Sequence, residues 1–157
     1  MKIMTKFAAI STMMGTMALA QPAFAQLEAY QDYNINEATS IVTTVKVDSN
    51  MIDYYLEGLR STWAPSNDLA IGLGQMEGYS IFVSALPNSG AFNVVLVTNF
   101  KSTADLAPSK ARNDAFMEKW GKEQQKLSRK TSKGYPDIRT ITGSYMMNEV
   151  TFVKEEE

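Results

Sequence analysis

From Ser40 to Val47 the chain alternates. Ile41, Thr43, Val45 and Val47 fall on one side, and Val42, Thr44 and Lys46 on the other. That is the period of a strand with one buried face. Asp48-Ser49-Asn50 then offer side-chain oxygens suited to capping a helix. Met51, Ile52, Tyr55, Leu56, Leu59 and Trp63 recur at three- and four-residue spacing, with Asp53, Glu57 and Arg60 outside the stripe. This pattern predicts an amphipathic helix. Pro65 is expected to end or kink it. Residues 66–73 read as a second helical piece, with Gly74 as its stop.

The next two segments alternate again. Tyr79 to Leu86 and Phe92 to Phe100 flank Pro87-Asn88-Ser89-Gly90, which is turn chemistry. The pair reads as a β-hairpin. Lys101 to Pro108 is a connector with a short turn at Thr103 to Leu106. Ser109 to Lys130 reads as the longest helix, with Phe116, Trp120 and Leu127 on one face and Met117 and Gln124 beside it. Gly134 and Pro136 stop it. Ile138 to Ile141 and Met146 to Val153 read as one or two strands broken at Gly143. Strand, helix, strand, strand, helix, strand is the order of split βαβ units. The expected fold is α+β: a ferredoxin-like βαββαβ sandwich, a four-stranded antiparallel sheet with two main helices on one face.

The hairpin strands are apolar on both sides. Ile81 and Val83 oppose Phe82 and Leu86, and Val94 and Leu96 oppose Val95 and Val97. A sheet with one solvated face alternates with polar residues instead. Two helices cover one face, so the other needs a cover. A second copy of the chain is expected there, with a fold-back of the C-terminal segment as the competing explanation.

Val45-Lys46-Val47, the helix carrying Leu59-Arg60-Ser61-Thr62-Trp63 and the strand from Tyr79 together resemble the dimeric α/β-barrel superfamily. That group includes antibiotic-biosynthesis-monooxygenase-like and stress-responsive barrel domains. The resemblance spans Thr39 to Val153. It implies homodimers whose sheets pack face to face, with a pocket between helices and sheet. Members that handle haem use a histidine, which this sequence lacks.

The N-terminus reads differently. Lys2 and Lys6 precede an uncharged, mostly apolar run from Phe7 to Ala20, followed by Gln21-Pro22-Ala23-Phe24-Ala25. This is the order of a secretory signal, with cleavage expected between Ala25 and Gln26. The run is too short, and too interrupted by Ser11, Thr12 and Thr16, for a membrane anchor of about 20 apolar residues. The expected organisation is a signal peptide at 1–25, a polar arm at 26–38 with Leu27, Tyr30 and Tyr33 available for packing, one domain at 39–153 and an acidic tail at 154–157. Residues 26–157 suit one ordinary domain. No later segment is apolar enough to span a membrane. The expected location is periplasmic or secreted.

Composition narrows the chemistry. The chain has 157 residues, a formal charge of −2, no cysteine and no histidine. Its mild acidity gives no reason to expect nucleic acid as a partner. Without cysteine, an exported domain rests on its core alone. Histidine-dependent triads, His/Cys zinc sites and His-ligated haem are ruled out. No S-x-x-K or D-x-D-x-D-G pattern occurs, and Gly72, Gly74 and Gly78 do not make a nucleotide loop. No metal or cofactor is expected.

The candidates for a ligand pocket are Trp63, Tyr55, Arg60, Tyr79 and Trp120. Aromatics at helical spacing are read first as core. Trp63, beside Ala64-Pro65, is the exception, since a helix break there opens space around it. Arg60 suits a carboxylate or phosphate clamp, or a surface pair with Glu57. Lys119, Lys122, Lys126, Arg129, Lys130 and Lys133 read as a solvated basic face. Two functional classes follow: a module binding a small apolar or aromatic ligand or a protein partner, and a cofactor-independent monooxygenase-like enzyme whose aromatic substrate supplies the electrons. No residue stands out as acid, base or nucleophile, which favours binding.

Overall fold

The computed structural model describes residues 26–86 and 90–154. The signal segment, the turn residues Pro87, Asn88 and Ser89, and Glu155 to Glu157 lie outside that set. Among the described residues, four strands and three α-helices follow one another: β1 (Tyr33–Val47), α1 (Ile52–Ser61), α2 (Trp63–Gly72), β2 (Gly78–Val83), β3 (Val94–Phe100), α3 (Lys110–Lys133) and β4 (Arg139–Phe152). One sheet forms in the order β2-β3-β1-β4, with every neighbouring pair antiparallel. This is the ferredoxin-like α+β sandwich expected from the element order.

Register explains the layering. Val45 pairs with Val94 on one side and Ile141 on the other, and Thr43 pairs with Leu96 and Ser144. Residues directly opposite share a face, so Val45, Val94 and Leu96 point together toward the helices. There they cluster with Val47, Tyr55, Leu59 and Tyr135. The core is small and centred on β1, β3 and α1. No residue of α3 is fully buried. The helix-free face carries Val42 between Val97 and Tyr145, and Val95 between Phe82 and Thr44. Phe82, Tyr145 and Met147 are exposed there.

Several local readings are corrected. β1 begins at Tyr33, so residues 33–38 of the expected polar arm are strand, while Leu27 and Tyr30 remain exposed rather than packed. Residues 36–38 bulge out of register against β4. The Asn148 side chain fastens that bulge, donating to the carbonyls of Asn36 and Ala38 and to Thr39 Oγ1 at 3.1, 3.2 and 2.9 Å. The helix break precedes Pro65: Thr62 leaves helical geometry (φ −132°, ψ −61°). Pro65 then sits in the first turn of α2, where its missing N–H leaves no intrahelical bond unmade. Asp48, Ser49 and Asn50 do not cap α1 through a side chain; Met51 is its N-cap and Asn50 turns the chain at φ 64°.

The hairpin strands end earlier than expected, leaving Leu86 and Phe92 exposed. Asn93 closes β1 instead. It accepts from the Val47 N–H and donates to the Val47 carbonyl, both at 2.7 Å, so one side-chain amide stands in for a strand neighbour. The C-terminal segment is a single strand, β4. The irregularity at Gly143 is absorbed as a bulge in which Thr142 is skipped between the Thr44–Gly143 and Val45–Ile141 pairs. α3 is interrupted at Gly121 (φ 72°, ψ 164°), a conformation glycine adopts readily. The break shifts the helical phase, so Leu127 does not continue the face of Phe116 and Trp120 and is exposed. Lys119, Lys122, Lys126, Arg129, Lys130 and Lys133 of α3 are all exposed, as expected for a solvated face. No described helix is long and apolar enough to cross a membrane.

Candidate functional site

A cavity of about 510 Å³ lies between the helices and the sheet. Its floor is Thr43 and Val45 of β1, Leu96 of β3, and Arg139 and Ile141 of β4. Tyr55 and Leu59 come from α1, placed there by the stripe that buries that helix. The α1–α2 break contributes Thr62, Trp63 and Ser66. Because Thr62 bends the chain, Trp63 turns over the cavity instead of continuing the α1 stripe. The far wall is Phe116, Trp120, Ser128 and Ser132 of α3, and Tyr135 closes one end.

Polar ties hold the walls apart. Arg112 donates to the Gln75 carbonyl at 3.1 Å and to the Asp105 carbonyl, and Gln75 Nε2 donates back to the Arg112 carbonyl at 2.9 Å. These bonds fix the start of α3 against the α2–β2 connection. Gln124 Nε2 reaches the Ser61 carbonyl at 3.3 Å and ties the second half of α3 to the end of α1. At Gly58 the packing is close: an added Cβ would lie 2.7 Å from the Tyr135 hydroxyl. Glycine there lets α1 settle on Tyr135.

The sequence candidates divide. Tyr55, Trp63 and Trp120 line the cavity. Tyr79 stands behind Trp63, edge to face at 5.1 Å, and so positions it. Arg60 is exposed and faces away, in a polar depression with Asp53, Leu56 and Glu57. Phe116 stacks at a tilt on Trp120, centroids 5.8 Å apart.

The group that sequence reasoning missed is Arg139 with Tyr135 and Ser128. The Arg139 guanidinium carbon lies 5.1 Å from the Tyr135 ring centre and 5.6 Å from that of Tyr55. The two rings themselves meet edge to face at 5.2 Å. Such cation–π contacts hold a guanidinium through ring faces and leave its N–H groups unspent. Arg139 Nε, Ser128 Oγ and the Tyr135 hydroxyl are buried without a hydrogen-bond partner. Among the described residues lining the cavity, Arg139 is the one charged side chain. Alternation puts Arg139 on one side of the strand with Ile141, but Ile138 is apolar on the other side, so spacing alone does not mark the Arg139 side as the buried one.

Burial pushes the Tyr55 hydroxyl above its ordinary pKa, with the Arg139 charge opposing and Tyr135 adding to the rise. The unfolded chain therefore releases this proton first as pH rises past about 10. The folded state then binds more protons than the unfolded, so stability falls with rising pH. Urea unfolding between pH 8 and 11 should show this alkaline loss, and Tyr55→Phe should flatten it. An identical alkaline slope in the variant would remove Tyr55 as its source.

No protein-family model matches the chain, and no curated protein matches it. Among solved structures, the chain is similar to HapK from Hahella chejuensis, at 12% identity and a TM-score of 0.43, over 71% of this chain and 91% of that one. It is also similar to a dimeric protein of unknown function and ferredoxin-like fold from Bacteroides fragilis NCTC 9343, at 8% identity and a TM-score of 0.38, over 76% of this chain and 100% of that one.

Proposed function

We propose that the chain is an exported, homodimeric binding domain whose helix–sheet cavity holds a small ligand with an apolar or aromatic body. The cavity carries this reading. At about 510 Å³ it falls within the roughly 300–1,000 Å³ of small-molecule sites, and its walls combine indole, phenyl and aliphatic surface with a few polar groups. Its described lining contains no Asp, Glu or Lys, so it offers no carboxylate or amine for proton transfer, which favours binding over catalysis. The apolar helix-free face supports a second copy as its cover. Export rests on the sequence pattern of residues 1–25.

Native mass spectrometry of protein purified from its own host tests all three parts at once. The expected species is a dimer of chains beginning at Gln26, carrying a small-molecule adduct released on denaturation. A bare monomer retaining Met1 would remove the proposal.

A further inference from the structure

Arg139 opens β4 opposite Val47, whose side chain is buried against the helices. The guanidinium therefore rises from the sheet into the helix layer, flanked by Tyr55 and Tyr135 at 5.6 and 5.1 Å. Among the described residues no carboxylate pairs with it, and no carbonyl accepts from it; the one salt bridge there is Lys110–Asp114, at the protein surface. A cation part-buried beside two aromatic rings with its Nε unsatisfied is an unfavourable arrangement for a folded chain alone. It becomes favourable once an anion is brought to it.

We infer that the cavity takes a monocarboxylate with an aromatic or branched apolar body, the carboxylate seated on Arg139 and the body among Trp63, Phe116 and Trp120. This deepens, and rests on, the ligand-binding reading of the same cavity. The planar fork of a guanidinium matches the two oxygens of a carboxylate. The buried Ser128 hydroxyl, also without a partner and in the same lining, supplies a further donor. Charge selects the class. One guanidinium balances one negative charge, whereas a phosphate monoester carries about −1.5 to −2 at neutral pH and finds no second cation in the described lining. The aromatic walls select the body, since flat rings stack on indole and phenyl faces.

Three probes of one shape separate the possibilities: naphthalene-2-carboxylate, neutral 2-naphthamide and 2-naphthyl phosphate, titrated into the purified protein by calorimetry. Quenching of Trp63 and Trp120 fluorescence serves as a second readout. The carboxylate is expected to bind about tenfold or more tighter than the amide, and the phosphate no tighter than the carboxylate. Arg139→Gln should abolish the preference for the carboxylate over the amide, while Arg139→Lys should retain part of it. Equal affinity for acid and amide in the unaltered protein overturns the Arg139 anchor and leaves the pocket standing. Tighter binding of the phosphate overturns the monocarboxylate class. Failure of all three probes removes the pocket and the inference together. The comparison within the unaltered protein decides the matter even where a variant does not fold.

Discussion

Replacing Leu59 with alanine is expected to destabilise the fold by about 3 kcal/mol. Leu59 is 2% exposed and belongs to the cluster that joins α1 to β1 and β3. Its removal deletes buried methyl groups and leaves a space that the neighbours fill incompletely. The new space adjoins the existing cavity, which Leu59 lines, so the surrounding side chains lose contacts on a side already thinly packed. The whole stability of a domain is about 5–15 kcal/mol, and here few residues share it. The midpoint of thermal unfolding should fall by roughly 10 °C. Urea unfolding followed by tryptophan fluorescence checks the value. A cost below about 1 kcal/mol would show that this cluster is not the core. Leu127→Ala, on the 40% exposed residue beyond the α3 break, serves as the mild control.

The second large effect is expected from Val97→Lys. Val97 lies in the middle of the helix-free face, between Ser80 and Val42, with Tyr145 one strand further. In a two-fold dimer built on this face the substitution enters twice. It places two like charges in an apolar contact lined by Val42, Val95 and Tyr145. Burying an unpaired charge costs several kcal/mol, so the dissociation constant should rise by about a hundredfold or more. Light scattering at micromolar concentration should then report a monomer, with the far-ultraviolet circular dichroism unchanged. A variant that stays dimeric would place the interface elsewhere. A monomeric unaltered protein would remove the dimer altogether.

Much of the fold was legible because its signals are local. The alternation from Ser40 to Val47, the stripe from Met51 to Leu59 and the hairpin around Val83 and Val94 each follow from spacing within one element. Of the pocket candidates, Tyr55, Trp63 and Trp120 reached the cavity because they are large and apolar on helices that must cover a sheet. Arg60 did not, because its place off the apolar stripe put it on the solvent side. Arg139 was hidden for the opposite reason. A lone cation at the start of a strand reads as surface, and only the approach of Tyr55 from α1 and Tyr135 from the turn after α3 makes it interior. Tyr135 itself sits between Gly134 and Pro136, which read as punctuation. The phase change at Gly121 was equally hidden, since a glycine inside a helical pattern is tolerated until a backbone angle says otherwise.

That break divides the 24 residues of α3 into two short helices, and cooperativity does not carry across it. Isolated helices shorter than about 12–15 residues are marginal in water. Each half therefore owes its order to its own few anchors: the first to the exchange between Arg112 and Gln75, the second to Gln124 on Ser61 and to the packing beside Tyr135. Neither half sinks a side chain fully into the core. The far wall of the cavity is thus expected to open before α1 and the central strands, which hold the buried core.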